Sequence, residues 1–217
     1  MKSQTLMVNS IFRSIQGESS FAGMPCTFIR LAGCNLRCRY CDTTEAFSQG
    51  KPMRLEAVLS EAAAHATRLV ELTGGEPLLQ RGARPLLQAL CESGKQVLLE
   101  TSGERDISNI DPRVHRIMDI KTPSSGMCEK NRWKNIDLLT LKDEVKFVLL
   151  DRADYEWAKE IILRESLTER VSHLLLSPVH GKLKPRKLVA WVLHDGLEVR
   201  VQLQIHKYIW KPGTRDV

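Results

Sequence analysis

Cys34, Cys38 and Cys41 stand four and three residues apart in the stretch Gly33-Cys34-Asn35-Leu36-Arg37-Cys38-Arg39-Tyr40-Cys41-Asp42-Thr43. Thiolates at such spacing can converge on one iron–sulfur cluster. A four-iron cube held by three protein ligands leaves one iron open, and an open iron can take a substrate or a cofactor. A structural zinc ion needs four protein ligands, and His65 is the nearest downstream His or Cys, too far along for a compact knuckle. A disulfide framework is disfavoured as well. A chain of 217 residues can build its own core, and Met1-Lys2-Ser3-Gln4 opens no secretory signal.

Other residues stand out by type and place. Leu72-Thr73-Gly74-Gly75-Glu76-Pro77 closes an apolar segment with two glycines, which permit positive φ and close backbone approach, and with a carboxylate beside exposed amides. Arg30 interrupts an apolar run, where a charge is costly unless it is paired or faces a polar site. Gln16 and Glu18 lie in a glycine-containing loop ahead of it. Taken alone, His206 reads as an ordinary core histidine.

These groups must be carried by a scaffold, and the periodicity describes one. Apolar, β-rich segments recur at Thr27–Leu31, Leu69–Thr73, Gln96–Thr101, Arg116–Ile120, Glu144–Leu149, His173–Ser177 and Val199–Gln204. Helical spacing marks Leu55–Ala66, Ala83–Glu92, Tyr155–Arg164 and Pro185–His194, with Pro185 fitting a first turn and Gly196 a stop. Alternation of this kind predicts an α/β fold with a mainly parallel sheet. The continuous apolar character of Val145–Leu150 predicts burial on both faces. A full eight-fold barrel takes about 250 residues, so the expectation is an open, partial β/α (TIM-like) barrel with some helices shortened. Strand ends then form the active-site rim, and Val8–Ser14 reads as a short extension capping it.

The cysteine spacing resembles the cluster loop of the radical S-adenosylmethionine (radical SAM) enzymes, with Tyr40 at their usual aromatic position before the last Cys. The resemblance implies a 4Fe–4S cluster on Cys34, Cys38 and Cys41, with SAM chelating the fourth iron, and the partial barrel of that family. Gly74-Gly75-Glu76-Pro77 is similar to the family's GGEP motif, which meets the SAM amine. The additional signals Ile15-Gln16-Gly17-Glu18, Cys41-Asp42-Thr43, Glu100-Thr101-Ser102-Gly103, Asp119-Ile120-Lys121-Thr122-Pro123-Ser124-Ser125 and Gln204-Ile205-His206-Lys207-Tyr208 resemble the 7-carboxy-7-deazaguanine synthase family, over about Ile11 to Tyr208.

That resemblance implies a carbon–nitrogen lyase of queuosine and 7-deazapurine biosynthesis. Its substrate is 6-carboxy-5,6,7,8-tetrahydropterin and its product 7-carboxy-7-deazaguanine, with loss of ammonia. Electron transfer from the cluster cleaves SAM, the 5′-deoxyadenosyl radical takes hydrogen from substrate C6, and SAM is regenerated. By the same resemblance Ile15, Gln16, Gly17, Glu18, Arg30, Thr73 and His206 bind substrate. Tyr40, Cys41, Asp42, Gly75, Glu76, Ser102, Lys121, Pro123 and Ser124 bind SAM, and Thr43 holds Mg2+. A guanidinium suits a substrate carboxylate, and Gln16 and Glu18 suit pterin amide and amino groups.

The whole chain reads as one radical SAM domain: an N-terminal capping extension over 1–26, a barrel core over 27–208 and a tail over 209–217. Composition is ordinary for a soluble protein, with 42% hydrophobic and 27% charged residues. A cytoplasmic location is expected, since no apolar run reaches membrane length. The net charge is +6 with a pI near 9.1, which favours an acidic electron donor such as flavodoxin or ferredoxin. The basic residues are scattered, and the run Lys182, Lys184, Arg186 and Lys187 reads as a solvated loop and helix start, so no direct nucleic-acid contact is expected. A homodimer is the family expectation. Cys26, Cys91 and Cys128 read as free thiols. A glycyl-radical activating enzyme and a non-enzymatic iron–sulfur carrier are the competing readings. The first leaves Arg30, Gln16 and Glu18 without a small-molecule role; the second has no use for a GGEP motif beside an open iron.

Overall fold

The computed structural model describes residues 4–217. Nine strands form one sheet: β1 Thr5–Ile15, β2 Pro25–Leu31, β3 Lys51–Arg54, β4 Leu69–Gly74, β5 Gln96–Thr101, β6 His115–Asp119, β7 Glu144–Leu149, β8 His173–Pro178 and β9 Arg200–Val201. Their order is β3-β1-β2-β4-β5-β6-β7-β8-β9. From β2 through β4 to β9 every neighbouring pair is parallel, while β1 runs antiparallel to both β2 and β3. The ends β3 and β9 do not pair, so the barrel is open.

Among the described residues six helices accompany the sheet: α1 Leu55–Ala64, α2 Ala83–Glu92, α3 Arg152–Arg164, α4 Leu167–Arg170, α5 Pro185–Asp195 and α6 His206–Ile209. Three short 3-10 segments, Pro123–Ser125, Cys128–Lys130 and Trp133–Leu138, replace a full crossover helix between β6 and β7. Helix placement follows local chemistry. Asp151 accepts from the Asp154 amide at the start of α3, Pro185 opens α5, and Gly196 at φ +60° ends it.

Side chains alternate across each strand. Ile29, Leu31, Val70, Leu72, Val97 and Leu99 join the large core under the helices, where Val58, Leu86, Leu87 and Leu90 are buried. Each such buried aliphatic side chain is worth about 1.5–3 kcal/mol. The opposite faces look into the lumen, where Cys26, Phe28, Leu69, Leu98 and Ile117 form a smaller apolar floor. Higher up the same faces carry Arg30, Thr73, Glu100, Asp119 and Lys146.

Two expectations change. The predicted strand Val199–Gln204 is ordered as β9 over Arg200–Val201 alone, and Gln202 continues with one amide bond to the Leu176 carbonyl (2.9 Å). The segment expected to cap the rim is the central part of β1, and the loop after it fills the other end of the lumen. There Ser20 bonds the Glu144 carboxylate, and Phe21 stands edge-on to His115 with ring centroids 5.0 Å apart.

Candidate active site

The loop after β2 crosses the C-terminal mouth of the barrel. At its start Gly33 accepts from the Glu76 amide (2.8 Å), and Leu31 accepts from the Gly75 amide (3.1 Å). Gly74 has φ +143°, and a Cβ on Gly75 would meet the Gly33 carbonyl and stand 2.7 Å from the Cys34 Cβ. The two glycines therefore let the end of β4 sit directly against the cysteine loop. Farther along, the Tyr40 hydroxyl donates to the Val148 carbonyl and lies 2.9 Å from the Thr122 hydroxyl. The Arg39 amide donates to Ser125 (3.0 Å). Asp42 pairs with Lys207 at the start of α6. One loop is thus tied to β4, to the β6–β7 connection and to the C-terminal helix.

Cys34, Cys38 and Cys41 are free, half-buried thiols on this loop. Burial pushes all three above the ordinary thiol value, Cys38 is raised further by Asp119, Cys41 and Cys34, Cys41 by Asp42 and Cys34, and the Lys121 ammonium pulls all three down. Among the described residues no three His, Cys, Asp or Glu side chains converge on a single metal ion. A cube differs from one ion in that its ligands attach at separate corners and stand farther apart. Three thiols on one loop beside one cation, over a strand end stripped of side chains, fit such a cube. Cys26 is buried in β2 and Cys91 on α2, both free as expected, and Cys128 is also free.

The residues expected around SAM divide in two. Glu76, expected to meet the SAM amine, is 0% exposed. It accepts from the Leu78 amide (3.0 Å), the Thr101 hydroxyl (2.8 Å) and both the amide (2.8 Å) and hydroxyl (2.6 Å) of Ser102. Glu76 and Ser102 therefore form one internal unit that braces the end of β4 against β5. Lys121 pairs with Asp119 (3.0 Å) beside the thiols. Pro123 is exposed and Ser124 half-buried, in a turn whose Ser124 amide donates to Asp154 (3.0 Å). Thr43 is half-buried, its hydroxyl 3.2 Å from Asp42 Oδ1.

The residues expected around substrate come from two sides of the barrel: Arg30 and Thr73 from β2 and β4, and Ile15, Gln16, Gly17 and Glu18 from the end of β1 and the loop after it. Arg30 and Thr73 are register partners on β2 and β4. The Arg30 guanidinium lies 5.7 Å from the Phe12 ring centroid, and among the described residues it makes no ion pair or hydrogen bond. The Thr73 hydroxyl donates weakly to Glu100 Oε2 (3.4 Å). Gln16 is sealed and its amide is spent: Oε1 accepts from the amides of Glu18 (2.7 Å) and Ser19 (3.0 Å), and Nε2 donates to Glu71 (2.9 Å). It shapes the loop that presents Glu18. His206 packs on Gly17, where any Cβ would strike its Nδ1, and the Ile205 amide donates to the Gly17 carbonyl (3.1 Å). Burial holds His206 below its usual value, against the pull of Glu18. Ile15 ends β1, paired with Pro25. Segment 204–207 thereby bridges from the β9 edge to the loop after β1 and covers the open side of the barrel.

Sequence reasoning missed the hub of this lumen. Lys146 Nζ pairs with Glu18 Oε2 (2.9 Å) and with Glu100, and lies 3.7 Å from Asp119. Gln204 Nε2 donates to Glu18 Oε1 (2.9 Å). The strand β7, expected to be apolar on both faces, turns Glu144 and Lys146 inward. Glu71 was missed in the same way. Both interrupt apolar strands, the signal that singled out Arg30. A surface cavity of about 410 Å³ lies beside Met7, Ala32, Gly33, Leu79 and Gln80, and none of the lumen carboxylates lines it.

Similarity to known proteins places this architecture. The sequence pattern of the Radical SAM superfamily matches residues 28–165, which defines the class as a radical SAM enzyme, with the 4Fe–4S cluster, SAM and need for a reductant that the class entails. The chain is 49% identical to a 7-carboxy-7-deazaguanine synthase of Chlorobaculum tepidum, over 98% of this chain and 97% of that one. It is 44% identical to one from Koribacter versatilis, over 98% and 100% respectively. The fold matches the crystal structure of QueE from Escherichia coli with a TM-score of 0.74 at 22% identity, over 92% of this chain and 94% of that one. The chain belongs to the 7-carboxy-7-deazaguanine synthase family. It is accordingly an enzyme acting on a small molecule, and among its described residues no helix is long and apolar enough to cross a membrane.

Proposed function

We propose that the protein converts 6-carboxy-5,6,7,8-tetrahydropterin into 7-carboxy-7-deazaguanine with loss of ammonia, using SAM catalytically and requiring Mg2+. The observation that carries this reading is the pairing, in one lumen, of an ion-pair-free guanidinium on Arg30 with partly exposed carboxylates on Glu18 and Glu100. A carboxylated pterin needs both: a cation for its carboxylate and acceptors for its amino and ring N–H groups. Thr73 stands between the two ends. His206, fixed against Gly17, closes the open side of the lumen over the bound ring and limits water. Ile15, Gln16 and Gly17 hold the loop that presents Glu18.

When bound, the cluster on Cys34, Cys38 and Cys41 supplies the electron, and SAM the hydrogen-abstracting group, that start the ring contraction at C6. Tyr40, Cys41, Asp42 and Gly75 line the SAM side. Lys121, Pro123 and Ser124 serve its ribose and carboxylate, and Ser102 does so while braced by Glu76. The Thr43 hydroxyl offers Mg2+ a hard oxygen ligand, the remaining positions being filled by substrate and water. Residues 1–26, 27–208 and 209–217 act as extension, barrel core and tail of one domain. A flavodoxin or ferredoxin donor suits the positive net charge, and the working form is a cytoplasmic homodimer.

Anaerobic reconstitution with iron and sulfide, then incubation with SAM, reductant, Mg2+ and the carboxypterin, tests the reading. Formation of 7-carboxy-7-deazaguanine and ammonia with SAM recovered supports it. Absence of product, or one SAM consumed per turnover, overturns it in whole or in its catalytic use of SAM.

A further inference from the structure

We propose that Lys146 is a positioning residue that sets substrate specificity: its sealed ammonium aims the Glu18 and Glu100 carboxylates at a ligand edge made of hydrogen-bond donors. This rests on the function proposed above and adds to it a residue outside the expected site.

The geometry separates cation from anions by depth. The Lys146 side chain is 4% exposed, whereas those of Glu18 and Glu100 are 20% and 25% exposed. The ammonium therefore lies beneath two carboxylates that still reach the mouth. It donates to Glu18 from the loop after β1 and to Glu100 from β5, and it lies 3.7 Å from Asp119 at the end of β6. Each exposed carboxylate has one oxygen on Lys146 and a second held elsewhere, Glu18 by Gln204 (2.9 Å) and Glu100 by Thr73 (3.4 Å). Both are oriented before any ligand arrives.

Stability alone does not account for this cluster. Burying an ammonium costs several kcal/mol of hydration, and well-packed apolar side chains commonly serve as well or better. The floor of the same lumen is built that way, from Phe28, Leu69, Leu98 and Ile117. Above that floor the wall becomes charged, with Glu71 and Lys146 sealed and Glu18 and Glu100 partly exposed.

The chemical consequence concerns protons. Facing Lys146 are Glu18, Glu100, Asp119 and Lys121, with Glu71 on β4, Asp42 on the cysteine loop and His206 on α6 nearby. Without the Lys146 charge Glu18, Glu100 and Asp119 face one another with no ammonium between them, and Glu18 loses the main charge that opposes its burial and favours its ionised form. A protonated carboxyl becomes a donor and repels a ligand N–H; an ionised one accepts only. Lys146 thus keeps the wall an acceptor surface. An amino group beside a ring N–H is bound there, while a carbonyl in place of the amino group sets lone pair against lone pair.

The test compares wild type, Lys146→Met, Lys146→Arg and the charge-relieved pair Lys146→Met/Asp119→Asn, which guards against simple misfolding. Each reconstituted protein is assayed for KM with 6-carboxytetrahydropterin, for preference over the 2-oxo analogue that lacks the amino group, and for SAM dissociation constant. The two Met variants should raise the pterin KM roughly ten- to a hundredfold and lose most of the preference, with SAM binding changed by less than about twofold. Lys146→Arg should recover the preference. Unchanged KM and preference in the Met variants overturn the inference, as does an Arg variant no better than Met. Wild type that turns over no carboxypterin refutes the function proposed above, and the inference falls with it; wild-type turnover with an indifferent Lys146→Met refutes the inference alone.

Discussion

Glu71 offers a stability measurement that reads the charge balance of the lumen directly. It is 1% exposed on β4, with Gln16 Nε2 donating to it at 2.9 Å. Burial, reinforced by the Glu100 and Glu18 charges, pushes its carboxyl up from 4.5 to about 8, against the Gln16 hydrogen bond and the Lys146 charge. Below its ordinary value the carboxyl is protonated whether the chain is folded or not, and nothing is lost. Between that value and about 8 the fold holds a proton that the unfolded chain has released, so stability falls as pH rises. Above it the loss is complete. At about 1.4 kcal/mol per pH unit the full swing is at most about 5 kcal/mol, or on the order of 10 °C in Tm for a chain of this size. Glu71→Gln keeps the shape and the acceptor for Gln16 but cannot ionise. Anaerobic thermal unfolding of both cluster-loaded proteins at matched scan rates, from about pH 5 to 9, gives the difference free of groups they share. The variant should gain on wild type steadily with pH. Parallel curves would mean that Glu71 is ionised throughout, and the argument from crowded carboxylates in this lumen would fail.

Three other substitutions probe the site. Arg30→Ala removes the cation proposed to pair with the substrate carboxylate and should raise the pterin KM roughly ten- to a hundredfold, with SAM binding unchanged; equal loss of both in equilibrium titrations would make Arg30 structural. Thr43→Ala should raise the Mg2+ concentration needed for half-maximal turnover, and an identical metal titration counts against a Thr43 ligand. Gly17→Ala drives a methyl group into His206 Nδ1. It should cost about 1–3 kcal/mol of stability and displace segment 204–207, so that pterin turnover drops while SAM affinity holds. Turnover equal to wild type would show that the contact does not close the lumen.

How much of this was legible beforehand depended on the length scale of each signal. The predicted segments at Gln96–Thr101, Glu144–Leu149 and Ala83–Glu92 coincide with β5, β7 and α2, because long apolar periodicity is set by burial on a sheet or helix face. The Cys34, Cys38 and Cys41 loop was readable because ligand spacing is local. The antiparallel β1 and β3 were not, since edge pairing is decided by distant partners such as Met7 with Pro52. Val199–Gln204 looked like a strand by composition, yet only two residues pair with β8. Beyond them the chain turns to place Gln204 on Glu18 and His206 on Gly17, contacts more than 180 residues apart. Gln16 stood out by type, but its bonds to Glu18, Ser19 and Glu71 join groups that only the fold brings together.

The lumen explains why the remaining misreadings share one form. A sequence shows which strand residues are charged, but pairing depends on what stands across a closed space. Arg30 and Lys146 look alike as cations set in apolar strands. The fold gives Lys146 acidic neighbours from three elements, whereas Arg30 meets an aromatic ring and no carboxylate among the described residues. The barrel therefore balances one cation internally and leaves the other unbalanced, and an unbalanced guanidinium on a half-buried wall draws an external anion more strongly than either residue would on an open surface. Its charge complements a ligand carboxylate, and the anchored carboxylates complement the ligand's donors. The polarity of the pocket thus runs from Arg30 to Glu18, so a ligand bound backwards would place its carboxylate against Glu18 and Glu100.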